Sequence, residues 1–304
     1  MKKNNNGIWP LAFISPYFII YFIFGLFPIL FSLYLSFTDW DGISTIKTVG
    51  FNNYIKIFTT DPYFLKSIWN TIIFMALSLP PILFGGLLLA AMMYGINGRA
   101  KQIFQLSNFL PFITTPVAIG IIFSLVFDWQ TGTVNKLLIQ TGIMSQGINW
   151  LGEVWPARIV VSLMRIWKYT GYSMVIYLAG MSNISNDIYE AANIDGSNAV
   201  TTFFKITLPQ LKPITLFLVI TNIIDGLQLL DEPMLLFSGW TGGGVVGGPE
   251  RSSLTAVWNL YDTAFGTTNQ YGYAAAMAYG LFLFILIFSI ISSKVVYRGG
   301  DENE

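Results

Sequence analysis

The sequence predicts an all-α, polytopic membrane protein with six transmembrane helices. Composition is the first reason: of 304 residues, 54% are hydrophobic and 11% charged, where a soluble domain carries roughly a quarter charged. Mean hydropathy is accordingly high, at +0.59. The spacing of the charges is the second reason. None falls between Lys3 and Asp39, Lys66 and Arg99, Lys101 and Asp128, or Asp262 and Lys294. Each of these gaps holds the roughly 20 apolar residues that a spanning helix needs.

Taken in order, the first span follows a Lys2-Lys3 start like that of a signal peptide. Its apolar run is too long and no A-x-A-like cleavage site follows, so it reads as a retained helix. The second and third spans fill the gaps after Lys66 and Lys101. A fourth runs from about Pro156 to Ser182 and carries Arg165 and Lys168; a fifth, about Ile214 to Phe237, carries Asp225 and ends near Asp231 and Glu232. The sixth occupies the gap after Asp262, and its Gly272, Ala276 and Gly280 make a small-residue face that lets another helix approach. Trp9, Trp40, Trp69, Trp129, Trp150, Trp155 and Trp258 fall near span ends, where amphipathic rings sit comfortably.

Six spans put both termini on one side. Lys2, Lys3, Arg99, Lys101, Lys205, Lys212, Lys294 and Arg298 share that side, against Lys47, Lys56, Lys66, Lys136, Arg158 and Arg251 over longer opposite loops. The positive-inside bias therefore predicts that both termini are cytoplasmic. Sixteen basic residues balance sixteen acidic ones, so there is no basic face for nucleic acid. Cysteine and histidine are both absent, which removes disulfides, thiolate and imidazole metal sites and every imidazole-based triad. No G-x-x-x-x-G-K-[ST] loop is present either, so no cofactor is expected in this chain and any ATP must be bound by another.

The loop from 184 to 212, on the predicted cytoplasmic side, carries the strongest local pattern. Asp187 can cap a helix, Glu190-Ala191-Ala192 favour one, and Gly196 supplies a turn. Phe203, Phe204, Ile206 and Leu208 then form an amphipathic stretch before Pro209, with Lys205 and Lys212 at the membrane surface. Glu190-Ala191-Ala192, then Gly196, then Ile206-Thr207-Leu208-Pro209 after nine residues resembles the EAA loop of binding-protein-dependent ABC importer permeases. Tyr189, Ile194-Asp195-Gly196, Leu178-Ala179-Gly180-Met181 and Gly272-Tyr273-Ala274-Ala275-Ala276 resemble the carbohydrate branch, of the maltose, multiple-sugar and glycerol-phosphate type. The likeness runs from about Asn70 to the last span.

That resemblance implies a type I importer permease in the plasma membrane of a prokaryote, moving a sugar or oligosaccharide inward. Its partners would be a second, homologous permease, two cytoplasmic ATPase subunits holding ATP and Mg, and an extracytoplasmic sugar-binding protein. Glu190, Ala191, Ala192, Asp195, Gly196, Leu208 and Pro209 would couple to the ATPase. The implied division is 1–68 for the first helix and an extracytoplasmic loop, 69–294 for the permease core, and 295–304 for a cytoplasmic tail.

In permeases of that type the sugar contacts the helices flanking the EAA loop. Carried over by spacing, those positions are Arg165, Tyr169 and Tyr172 on one, and Asp225, Gly226 and Leu229 on the other. Physical reasoning adds Asn222, and it turns Arg165, Lys168 and Asp225 inward, since an ionisable group at mid-span costs about 2.5 to 3.5 kcal/mol unless it is paired or wet. A second reading has Arg165 and Asp225 merely locking two helices. Two cations against one anion also leave open an acidic sugar, and the motif does not distinguish a polyol or glycerol phosphate. An ion-coupled transporter lacks support from inverted repeats or a carboxylate relay, and an intramembrane enzyme would have only Asp231-Glu232 and Asp262 to use. The glycine run from Gly239 to Gly248 reads as a hinge or linker, and the outer segments Asp39 to Lys66 and Asp128 to Trp155 as surface for the docking protein.

Overall fold

The computed structural model describes residues 8–96, 98–237 and 245–298. Among them the regular structure is helical apart from one short hairpin, and the chain forms two compact units. The first unit comprises residues 1–65 and 260–284, the second 66–259 and 285–304.

In the first unit, α1 (Ile8–Tyr21) and α2 (Phe27–Leu35) join through a π turn at Phe22–Leu26, and Phe13–Leu35 is one stretch long and apolar enough to span a membrane. A two-stranded hairpin follows, β1 (Thr38–Asp39) pairing antiparallel with β2 (Lys47–Thr48), and then α3 (Asn52–Thr59). In the hairpin the Asp41 carboxylate accepts from the backbone N–H groups of Ser44 and Ile43, at 2.7 and 3.0 Å, which holds its pKa down to about 2. Residues 260–284, which include the first half of α15 (Tyr271–Arg298), complete this unit. The small-residue face of α15 meets the end of α2, where a side chain at Gly272 would collide with the carbonyls of Thr38 and Leu35.

The second unit is built around α8 (Val154–Ser182). Its buried residues, from Ala157 to Met181, recur at helical spacing on several faces. α4 (Phe64–Tyr94), α5 (Arg99–Ile113), α6 (Pro116–Val126), α12 (Lys212–Leu227) and α13 (Asp231–Phe237) surround it. One core joins Phe74, Ile119, Val160, Val161, Met164, Leu229 and Leu236; another joins Ala90, Met93, Met174, Tyr177, Leu211 and Leu218. α5 crosses α8 so closely that any side chain at Gly171 would overlap the backbone of Asn108. Short helices α7 (Thr133–Gln140), α9 (Asn186–Ile194), α10 (Ala199–Thr202), α11 (Leu208–Gln210) and α14 (Ala256–Phe265) occupy the connections.

Two predicted spans are corrected. The third is not one helix: α5 and α6 meet at 94°, because Thr114 and Thr115 are extended ahead of Pro116, whose ring disfavours helix in the residue before it. The fifth does not run to Phe237. α12 stops at Leu227, and Asp231 and Glu232 start a new helix, as acids do near the positive end of a helix dipole. Its apolar reach comes instead from residues 199–210, joined to α12 at 60°. Among the described residues, three straight helices and these two bent pairs are apolar enough to span. Six is reached only by adding α8, which has 29 residues, about 43 Å at helical rise, but carries Arg158, Arg165 and Lys168.

Candidate functional site: an exposed loop and a charged cavity

Loop 184–212 is shaped by local chemistry. The Ser185 side chain, not Asp187, caps α9 by accepting from the Asp187 N–H at 3.3 Å. The capping residue sits two positions earlier because Ser185 is extended while Asp187 is already helical. At the other end Gly196 has φ +75. The N–H groups of Ser197 and Gly196 reach back to the carbonyls of Ala192 and Asn193, at 2.9 and 3.1 Å, and satisfy the last turn. No neighbour crowds Gly196, so the backbone angle alone demands glycine there.

α9 then divides into two faces. Ala192 is buried and Tyr189 turns inward, its hydroxyl 3.1 Å from that of Thr207 and its ring against Tyr94. Glu190, Ala191 and Asp195 are exposed, together with Asp187, Ile188 and Ile194. Residues 203–207 form a π turn that carries the chain through Leu208 to the exposed Pro209. This is an acidic and apolar knob with its turn fixed by Gly196.

The second assembly lies between α8, α12 and α5. Arg165 donates to Asp225 Oδ2 at 2.8 Å and to the Asn222 carbonyl at 3.3 Å, and the Tyr169 hydroxyl donates to Asp225 Oδ1 at 3.3 Å. Three residues along α8, Lys168 pairs with Glu232 of α13 at 3.0 Å. Both cations also sit over the Tyr169 ring, at 4.7 and 5.2 Å from its centre. Four charges thus cancel as two pairs, and the imbalance that left room for an acidic cargo disappears.

Beside these pairs is a cavity of about 220 Å³ lined by Phe112, Tyr169, Tyr172, Thr221, Asn222 and Asp225. Phe112 and Tyr172 stack at 4.8 Å. The Asn222 amide N–H₂ donates to the Leu218 carbonyl at 2.8 Å, which fixes the amide orientation and leaves Asn222 Oδ1 buried without a partner. Asp225 remains half exposed. Acceptor oxygens and aromatic rings therefore dominate the lining, with Asn222 Oδ1 unpartnered and the nearest guanidinium spent on Asp225.

The structure brings Arg165, Tyr169, Tyr172, Asn222 and Asp225 together, and Gly226 abuts the Arg165 guanidinium. Leu229 is corrected: it is buried in the core beside Phe74 and Val160, and its carbonyl accepts from Thr255 Oγ1 at 2.6 Å. α12 ends at Leu227, so the helical phase that would align Leu229 with Asp225 is lost. Tyr169 lines the cavity while its ring also faces the two cations and its hydroxyl bonds Asp225. Sequence reasoning missed Phe112, Thr221 and the use of Glu232. Thr221 stands four residues before Asp225 and was readable by that spacing; Phe112 reaches the cavity from another helix.

Of the glycine run, 239 and 242–244 lie outside the described residues, whereas Gly247 and Gly248 both take positive φ. The segment after them is held by Asn70, which donates to the carbonyls of Arg251 and Leu254, and by Arg158, which donates to Asn70 Oδ1 at 2.8 Å.

The family described as "Binding-protein-dependent transport system inner membrane component" matches residues 63–298. The lactose transport system permease protein LacF of Rhizobium radiobacter is 35% identical, over 92% of this chain and 91% of its own. The arabinooligosaccharides transport system permease protein AraP of Bacillus subtilis is 31% identical, over 94% and 88%. The multiple sugar-binding transport system permease protein MsmF of Streptococcus mutans is 32% identical, over 97% of each. Among solved structures, a bacterial ABC transporter that imports the acidic polysaccharide alginate superposes with a TM-score of 0.79 at 22% identity, covering 95% of this chain and 96% of that one.

Proposed function

The chain belongs to the binding-protein-dependent transport system inner membrane components, and from that premise we propose that it passes a neutral sugar or oligosaccharide through the cavity between α5, α8 and α12. As a member of that family it is a membrane-embedded transport subunit of an ABC importer. The observation that carries the cargo is the cavity lining: acceptor oxygens of Asn222, Thr221 and Asp225, beside aromatic rings, with every nearby cation paired. Sugar hydroxyls donate to such oxygens and their C–H faces lie on rings. An anionic sugar would find no free cation there. LacF, a lactose transport permease, and AraP, an arabinooligosaccharide transport permease, support the same class.

In this reading a second homologous permease completes the pathway, an extracytoplasmic binding protein delivers the sugar, and both termini are cytoplasmic. Two ATPase subunits hold ATP and Mg and receive α9 in a groove. Glu190, Asp187 and Asp195 make that helix acidic with no basic residue of its own, so a basic groove suits it. The permease core then runs from about residue 69 to 294, with a helix and outer loop before it and a short tail after. Uptake by the reconstituted importer, competed by a panel of neutral and uronate oligosaccharides, tests the cargo. Competition by neutral sugars alone supports it; preferential competition by uronates overturns it.

A further inference from the structure

We infer that α3 is a membrane-interface helix whose Phe51, Ile55 and Phe58 edge lies in phospholipid, so that this part of the outer segment faces lipid rather than a docking protein. The helix has three sides, and each has a different polarity. One side is committed to the protein: Ile57 is fully buried, Asn53 donates to the carbonyls of Ser36 and Thr38, and the Tyr54 hydroxyl lies 2.7 Å from that of Ser36.

The two exposed sides are segregated. Phe51, Ile55 and Phe58, spaced as one helical edge, are 68%, 57% and 58% exposed. Asn52, Lys56 and Thr59, also one edge, are exposed on the other flank. A helix lying in water has no reason to sort its exposed residues this way. A helix half sunk in the headgroup region does, with its apolar flank in the acyl boundary and its polar flank wet.

The lipid-facing surface next to it is continuous with that edge. α2, which crosses the bilayer, exposes Phe27, Leu30, Phe31 and Tyr34. At its end the ring of Phe37 lies 5.3 Å from that of Phe51. α3 is also followed after four residues by the start of the next spanning helix, where Phe58 packs on Phe64 at 5.9 Å. The helix is therefore tethered at the depth where two spans begin and end, and aromatic side chains favour that depth.

The absence of cysteine makes the test direct, because one introduced thiol is the only one in the chain. Ile55→Cys, Phe58→Cys, Asn52→Cys and Thr59→Cys are each spin-labelled in the full chain, assembled with cysteine-free importer partners in phospholipid nanodiscs. Collision with lipid-soluble oxygen and with an aqueous nickel chelate is then measured. Labels at 55 and 58 should favour oxygen several-fold, and labels at 52 and 59 should favour nickel. If all four favour nickel, the edge is in water and the inference fails. If 55 and 58 are immobile and closed to both probes, a protein covers them and it fails equally. Ile55→Cys alone decides the matter should Phe58→Cys disturb the contact with Phe64.

Discussion

Two ion pairs leave α8 from positions three residues apart, and they differ in what surrounds the anion. Lys168 and Glu232 are both nearly sealed, with side chains 10% and 6% exposed, whereas Arg165 is sealed but its partner Asp225 is 46% exposed on the cavity. The same chemistry therefore serves two ends. The first pair ties α13 to α8 and has nowhere to exchange its partner. The second keeps an anion on the cavity wall, with the Tyr169 hydroxyl donating to it and the Asn222 carbonyl holding its Arg165 partner. A charge in a span is informative only together with the exposure of its partner.

The strongest way to break this comparison is Glu232→Gln. It leaves the Lys168 ammonium buried with a neutral partner, and orphaning a buried charge costs about 3 to 5 kcal/mol. The expected result is a sharp fall in the melting temperature and yield of the purified importer. A variant that melts like the parent would show that Lys168 finds water or another acceptor, and the two pairs would not be distinct.

Next in size are changes in loop 184–212, which lies between the partners of both pairs in the chain and contains none of them. Gly196→Leu forces a Cβ into positive φ at about 1 to 2 kcal/mol and moves the end of α9. Glu190→Lys reverses an exposed charge without touching the fold. Both should insert and leave the cavity intact, yet lose ATP-driven uptake in proteoliposomes while binding-protein docking persists. Normal uptake by Glu190→Lys would remove that residue from the coupling role.

Asp225→Asn sharpens the comparison directly. Arg165 is at least as buried as Lys168, but it keeps its bond to the Asn222 carbonyl and its place over Tyr169, and Asp225 itself is half in solvent, so the loss of stability should be smaller than for Glu232→Gln. Uptake should slow while basal ATP hydrolysis continues. If instead Asp225→Asn lowers the melting temperature as far as Glu232→Gln, the pair is a helix lock and the cavity is not the sugar path.

What could be read from the sequence follows from how local each feature is. α9, its turn at Gly196 and the segment to Pro209 are set by neighbours within a few residues, so the loop was legible almost entirely; only the cap moved, from Asp187 to Ser185. The charged faces of α8 and α12 were legible by helical spacing. Leu229 and Glu232 were misplaced for one reason, the end of α12 at Leu227, which resets the phase of everything after it. Phe112 was invisible because its place depends on α5 crossing α8 at Gly171, a contact between distant segments.

The smallest effect on the fold and the most specific on transport is expected at Tyr172. Its ring stacks on Phe112 and lines the cavity, and none of the four charges uses it. Tyr172→Ala removes one stacking surface, so the complex should assemble, melt within a few degrees of the parent and hydrolyse ATP at the basal rate. An aromatic stacking contact contributes about 0.5 to 1.5 kcal/mol beyond its buried area. Loss of one such face to the cargo corresponds to roughly a 2- to 13-fold fall in uptake by the ordinary energy-to-rate conversion. Tyr172→Phe separates ring from hydroxyl: it should retain most of the uptake if stacking is the contribution and fall with Tyr172→Ala if the hydroxyl bonds the sugar. Unchanged uptake in Tyr172→Ala would place the sugar on another wall and leave the exposed Asp225 without a cargo to meet.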